Sequence, residues 1–428
     1  MRKQNMIRKG MSVLCVCALA AGLCSCGTEE KSEEEKILRV VTDGTLYTDV
    51  EFAARFLEGV DGEIEVRIQR LPDDKEKREI EIQKLRTKIM AGKGPDVYLL
   101  ESVRENAAEA VMPLLENPYQ TMQSGALASL DEFMEKDSYW EDNTYHEAIL
   151  KAGQYDGRQY IIPMSVMYYV LPRPDDMEKM KGDTLQEWMQ QAVSSDDFRL
   201  KQAFYGLTLQ TARWIQPAAD YEKAEVKFDK ERWKELAQDC IQFDIDVQDE
   251  VINSDIDSRF VFKDSMEVLY YNEQSPLGLQ VVPDIEGRKM ASIMSYGAVG
   301  MSSDLKQEAY DFLMLFLNDR TQKYQKEHSE DSMKLPAFYG YLDKSFTPVQ
   351  ENAFEVWMNY PSEEVLQEMQ QSFRELDGAY FLTGAERELF EGLDQIAGNC
   401  SRPGYDWSAE IDKLVDSVWN TYKMMVSE

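Results

Sequence analysis

From residue 37 onward, apolar and polar positions follow two alternating rhythms. The run ILRVV predicts a short strand, closed by a turn at Thr42, Asp43 and Gly44. Val50, Ala53, Ala54, Leu57 and Val60 then recur at helical spacing, and EIEVRIQRL alternates Ile64, Val66 and Ile68 as a half-buried strand does. In EIEIQKLRTKIM, Ile82, Leu85 and Ile89 share one helical face while Lys84, Arg86 and Lys88 turn mostly to solvent. DVYLL follows, a nearly all-apolar run of the kind buried on both faces of a parallel sheet. Strands alternating with helices in this order predict a parallel α/β sheet.

The joint IMAGKGPDVYLLES raises a specific question, because a Gly-Lys-Gly turn can cradle a phosphate. A phosphate loop follows a strand and opens a helix, which aims backbone N–H groups and the helix dipole at the anion. Here a helix ends and a strand begins, and no Gly-Lys-Ser or Gly-Lys-Thr follows. Gly92 and Gly94 are expected to supply positive φ for a helix cap, with Pro95 preventing the helix from resuming. The strand's carboxyl end, Glu101 and Ser102, is the more informative place, since ligands of open parallel sheets collect there.

Further along, GQYDGRQYIIPMSVMYYVL places a turn at Asp156 and Gly157 before two extended runs interrupted by Pro163. A proline in that position predicts a crossing between two sheets rather than one central strand. TLQEWMQQAV is helical, and the segment from Phe204 to Phe243 keeps a largely helical rhythm. RFVFKDSMEVLYY predicts a second extended pair. In GAVGMSSDLKQEAYDFLMLFLND a small-residue strand leads to a helix capped by Ser303 or Asp304, with Ala309, Phe312, Leu313 and Phe316 inward. The carboxyl end is helical, with Trp188 earlier and Trp419 here assigned to packing, and no internal repeat is present.

The chain has 428 residues, which suggests two domains, and a formal net charge of −32. Such a surface repels nucleic acid, so no nucleic-acid partner is expected. Arg2, Lys3, Arg8 and Lys9 precede an apolar run from Met11 to Leu23, the layout of a secretory signal and too short for a comfortable membrane span. The run ends LCSCG, which resembles the bacterial lipoprotein signal, with Leu23 three residues before Cys26. That resemblance implies lipidation at Cys26 after removal of residues 1–25, and a location on the outer face of the bacterial cell membrane. Residues 26–36 carry GTEEKSEEEK, read as a solvated tether. Beyond the lipid-bearing cysteine only Cys240 and Cys400 remain, and either a disulfide between them or two free thiols is compatible with export.

Together, the signal, GPDVYLL after a basic helix, DGRQYIIPMSV and GAVGMSSDLKQEAYDFLMLFLND resemble the extracellular solute-binding lipoproteins of ABC importers, in the carbohydrate group similar to maltodextrin-binding protein. Their order and spacing carry the resemblance over nearly the whole chain from Ile37. It implies an α/β, two-lobed, periplasmic-binding-protein-like (type II) fold with hinge crossings. The implied division is lobe 1 at 37–162 and 291–341, and lobe 2 at 163–290 and 342–428, with crossings at IIPMSV and near RKMASIMSY. It also implies capture of a small solute, a sugar or oligosaccharide, between the lobes and delivery to the transmembrane subunits of an ABC permease.

Sugar sites combine polar side chains with aromatic planes. The positions matching the family are Asp43 and Tyr47 after the first strand, Glu101 and Ser102 after the third, Met164, Ser165 and Tyr168 at the first crossing, Arg213 and Trp214 in TARWIQP, Glu273, Tyr296, and Trp357 or Tyr380 near the end. Trp214 and Tyr296 have packing as their alternative, and Tyr168 beside Tyr169 means that only one faces the cleft. No cofactor, metal or catalytic residue is expected. The two histidines, His146 and His328, form no HExxH and read as surface residues. FDIDVQDEVINSDIDSR suggests a calcium loop only superficially, since Asp249 stands where glycine is needed and Asp255 where glutamate is. Two other classes stay open: a sensor or scaffold lipoprotein with the same fold, and a secreted glycoside hydrolase, for which no carboxylate pair stands out.

Overall fold

The computed structural model describes residues 36–103, 112–141, 145–174, 176–206, 212–253, 262–265, 268, 278–317 and 363–427. The chain starts as its apolar rhythm predicts. Strand β1 (Lys36–Thr42) pairs in parallel with both β2 (Ile64–Arg70) and β3 (Val97–Glu101). Helix α1 (Tyr47–Val60) links the first two strands and α2 (Lys75–Met90) the second and third. These crossovers step to opposite sides of β1, so right-handed connection sets the two helices on opposite faces of the sheet. DVYLL is therefore covered twice, and Val97, Tyr98, Leu99 and Leu100 are all buried.

The glycine joint is a helix end, with one difference from the expected cap. Gly92 has φ +67° and its N–H bonds to Ile89 O, as a left-handed cap requires. Gly94 is not left-handed. A Cβ there would come within 2.9 Å of the Tyr98 hydroxyl and 3.1 Å of Ile89 Cγ1, so this glycine serves a close approach instead.

The sheet is completed by β6 (Ile161–Met167), β12 (Met290–Val299) and β13 (Gly378–Tyr380) in the order β13-β12-β3-β1-β2, with β6 also on β12. β12 pairs antiparallel with β3 over Ser295–Val299 and with β6 over Ser292–Ala298, and parallel with β13 over Met290–Ser292. Since β6 overlaps both of the others, β3 and β13 share the opposite edge. β7 (Tyr169–Arg173) follows β6 directly but belongs to a three-stranded antiparallel sheet with β10 (Lys263–Asp264) and β11 (Gly278–Val281). The change of sheet thus falls at Tyr168 rather than at Pro163. Pro163 sits inside β6, a strand paired only to β12, where a missing N–H on the free edge is tolerated. The second return runs from β11 to β12.

A hairpin of β4 (Gln154–Tyr155) and β5 (Arg158–Gln159) turns at Asp156 and Gly157, both left-handed, as expected. The predicted helical rhythm between Phe204 and Phe243 is only partly realised. After the short α3 (Pro118–Gln123), helices α4 (Leu185–Ser194), α5 (Phe198–Phe204) and α6 (Lys230–Ile252) form, but the stretch before α6 contains the hairpin of β8 (Ala219–Asp220) and β9 (Glu225–Val226). Residues 244–252, part of the superficial calcium motif, lie on α6. Helix α7 (Lys306–Met314) starts after Leu305, whose N–H bonds to Ser303 Oγ at 3.0 Å. The tail comprises α8 (Glu363–Arg374), α9 (Gly384–Ala397) and α10 (Trp407–Ser427).

Two apolar clusters result. The first surrounds the six-stranded sheet and takes in the α8 residues Val365, Met369 and Phe373. The second joins α4, α6, α9 and α10 through residues such as Trp188, Trp233, Leu389 and Val418. Trp419 is half buried, with Lys230 and Lys423 over its ring. His146 is also half buried, edge-on to Phe373 at 5.2 Å, while His328 lies outside the described residues. Cys240 and Cys400 are both free thiols, Cys240 being buried in the second cluster. No helix among the described residues is long and apolar enough to cross a membrane.

Gly153 stops the chain beside β6, where a Cβ would lie 1.9 Å from the Ile161 carbonyl oxygen. Backbone cannot swing aside as a side chain can. Gly153→Ala is expected to lower stability by about 1–3 kcal/mol, read as a fall in urea midpoint at unchanged slope.

Candidate functional site

The carboxyl ends of β1 and β3 open toward the middle of β12 and the second cluster. Asp43, which ends β1, is a joint rather than a surface group. Its buried carboxylate pairs with Arg78 of α2 through one oxygen and accepts the Glu101 N–H at 2.8 Å through the other. Burial pushes this carboxyl up, against the pull of Arg78. One side chain thereby holds β1, α2 and the end of β3 in register. Beside it, the Thr45 hydroxyl donates to the Glu101 carboxylate, and Tyr47 is half buried with the Arg70 guanidinium 5.6 Å from its ring centre.

Ser102 comes next, 8% exposed, with its N–H on Met294 O at 2.9 Å. Its Oγ is buried without a hydrogen-bond partner among the described residues. Val103, one residue on, packs into the second cluster. Two residues before Met294, Ser292 Oγ accepts from Arg213 Nη1 at 2.6 Å. Arg213 is 4% exposed, lies 5.1 Å from the Tyr169 ring centre and also meets the Tyr380 hydroxyl. Burial lowers the pKa of this guanidinium, with Tyr380 and Asp264 acting the other way. The same burial pushes the Tyr380 phenol up to about 12, despite Arg213.

Trp214 packs edge-on to Tyr169 at 5.7 Å and is 4% exposed, its Nε1–H unpartnered among the described residues. On the β6 side, Ser165 and Ser295 join hydroxyls at 2.6 Å, and Met164 is buried. Tyr168 and Tyr169 point apart as strand alternation requires. Tyr168 enters the first cluster and bonds Ser372 Oγ at 2.8 Å, leaving Tyr169 half buried toward Arg213. Tyr296 is buried edge-on to Phe381 at 5.3 Å.

The structure therefore brings Glu101, Ser102, Ser165, Arg213, Trp214 and Tyr380 to one junction, with Asp43 behind it and Tyr47 beside Thr45 at its edge. It directs Tyr168 and Tyr296 into packing. Glu273, Trp357 and Cys26 lie outside the described residues. Ser292 and Ser295 were not singled out from the sequence, and Tyr169 entered only as the alternative to Tyr168. The signal for the serines was present, since hydroxyls in a strand as apolar as MASIMSYGAV must find partners once buried.

Comparison with known proteins places the fold. No protein-family profile matches the sequence, and no curated protein matches it significantly. Solved structures do. An extracellular solute-binding protein of family 1 from Alicyclobacillus acidocaldarius aligns over 90% of this chain and 98% of its own, with TM-score 0.59 and 11% identity. The sugar-binding protein MalE from Xanthomonas citri aligns over 91% and 98%, at 0.57 and 14%. An extracellular solute-binding protein from Staphylococcus aureus, in complex with maltose, aligns over 91% and 98%, at 0.53 and 16%. The chain has the two-lobed α/β fold of such solute-binding proteins, the type II periplasmic-binding-protein-like architecture.

Removing the Asp43 carboxylate strands a buried guanidinium and the Glu101 N–H. Asp43→Ala is expected to cost about 3–5 kcal/mol in urea unfolding. Trp214 fills volume in the second cluster as well as facing the junction, so Trp214→Ala is expected to lower stability by about 3–5 kcal/mol, visible as a drop in melting temperature.

Proposed function

We propose that this chain is the substrate-binding component of an ABC importer, anchored to the outer face of the cell membrane through lipid on Cys26, and that it captures a sugar between its lobes. The observation that carries this reading is a pair of buried polar atoms with no hydrogen-bond partner among the described residues, Ser102 Oγ and Trp214 Nε1, near the buried Arg213 at the lobe junction. Native proteins rarely leave such groups unsatisfied, and each costs about 1–3 kcal/mol where no partner arrives. A polyol entering the junction supplies hydroxyls that both donate and accept, which suits a serine hydroxyl and an indole N–H together. Tyr47 and Tyr169, both half buried, offer aromatic surfaces.

The reading is one of binding without chemistry. Capture needs a pre-organised polar lining and closure of one lobe on the other, and a ligand touching both lobes shifts an open-to-closed equilibrium. Lobe 1 is taken as 37–162 with 291–341, and lobe 2 as 163–290 with 342–428. Structural neighbours that bind sugar, one of them in complex with maltose, support a carbohydrate over a peptide. Release to two transmembrane permease subunits, driven by a separate ATPase, completes the role.

The test is a thermal-shift and calorimetric screen of the chain from Gly27 onward against maltose, mannobiose, longer oligosaccharides and short peptides. A bound sugar raises the melting temperature by mass action. Ser102→Ala is then expected to weaken that sugar by about 1 kcal/mol while leaving the unliganded melting temperature nearly unchanged. A flat screen with folded protein would reject sugar capture and favour the sensor or scaffold role.

A further inference from the structure

A concavity lies at the other end of the sheet from the candidate junction. Its wall includes Tyr98 near the start of β3 and Met301 just past β12, whereas the lobe junction lies beyond the carboxyl end of β3. At about 3.3 Å per strand residue, four residues from Tyr98 to Ser102 separate the two sites by roughly 13 Å. The groove has a volume of about 650 Å³, enough for a small organic molecule.

Its chemistry is selective. The apolar walls come from Ile89, Met90, Leu114, Leu115 and Met301, and Met90 is 81% exposed at the rim. The charged lining groups are Arg86 and Glu116, which pair with each other at 2.8 Å, while the other Arg86 nitrogens bond the carbonyls of Leu114 and Pro113. No lining charge is therefore left over to recognise an ion. Tyr98 is 1% exposed, yet its hydroxyl has no hydrogen-bond partner among the described residues and sits against the bare Cα of Gly94. Burial and the nearby Asp96 carboxylate keep that phenol protonated, so it remains a donor. Ser124, Thr121 and Ser302 add hydroxyls along the wall.

We infer that this groove is a second binding site, independent of the lobe junction, for a neutral amphipathic molecule: an aromatic or short alkyl group carrying hydroxyls, with the hydroxyl on Tyr98 and the apolar part against the methionines. A charged ligand would lose hydration without gaining a partner. A wholly polar one would leave the apolar walls unused.

Phenyl glucoside is the probe, with glucose as its purely polar control, titrated into the chain from Gly27 onward carrying labelled methionine methyls. Met90 and Met301 report the groove, and the half-buried Met167 and Met294 report the lobe junction, so the two sites are read separately in one spectrum. Phenyl glucoside is expected to shift Met90 and Met301 saturably, and glucose is expected to leave them in place. Tyr98→Phe, which keeps the ring, should weaken the groove response about fivefold. Ser302→Trp, at an exposed wall position that spares the fold, should abolish it. Unmoved Met90 and Met301 signals up to the solubility limit overturn the inference. So do shifts confined to Met167 and Met294, or groove shifts that survive Ser302→Trp.

Discussion

Much of this molecule depends on the need to pair the backbone of β12. A buried peptide group left without a partner costs about as much as a lost hydrogen bond, so a ten-residue strand through the core must be matched along both edges. β12 meets that requirement with three strands from distant parts of the chain: β6 on one edge, β3 and then β13 on the other. On that second edge β3 runs antiparallel to β12 and β13 parallel, so their carboxyl ends converge near Ile293 and Met294. The candidate junction forms at this convergence. Ser102 from β3, Tyr380 from β13 and the Ser292 hydroxyl that receives Arg213 are all brought there by strand pairing alone.

Around that point two buried polar groups go unsatisfied among the described residues, as Asn117 Nδ2, Gln186 Oε1 and Trp233 Nε1 do elsewhere. Deeper in the sheet the accounts close: Asp43 is met by Arg78 and by the Glu101 N–H, and Asp96 by Arg39. At the junction, Ser102 Oγ and Trp214 Nε1 remain open within the described residues. Both Asp43 carboxylate oxygens are engaged in architecture, and through the Glu101 N–H they set the position of residues 101 and 102.

Much of the fold was legible because period and burial are local properties. The alternation from Ile37 to Leu100, the hairpin turn at Asp156 and Gly157, and the helix-to-strand order at the glycine joint each depend on residues close in sequence, and the structure has them where the pattern placed them. Phosphate binding at that joint was excluded on the same local ground. The differences arise where local and tertiary demands compete. Pro163 was read as a crossing because proline breaks ladders, but it lies within β6, a strand bonded along one edge among the described residues, where proline is tolerated. Helical rhythm in TARWIQPAADYEKAEV yields to a hairpin, and Gly94 is shaped by Tyr98 four residues on rather than by its own φ.

The candidate site was legible only as a set of elements. Residue type and strand ends pointed to Glu101, Ser102, Arg213 and Trp214, and pairing did assemble them. The sequence could not distinguish Tyr168 from Tyr169, or tell that Tyr296 faces Phe381 and Tyr380 faces Arg213, since alternation says that neighbours diverge without saying toward what. By itself the sequence determined the order of strands and helices, the parallel α/β start and the acidic surface, all set by composition and short-range period. Only tertiary structure decided which polar groups became joints and which stayed open, because hydrogen-bond satisfaction depends on partners far apart in sequence, as Tyr168 and Ser372 are at a separation of 204 residues.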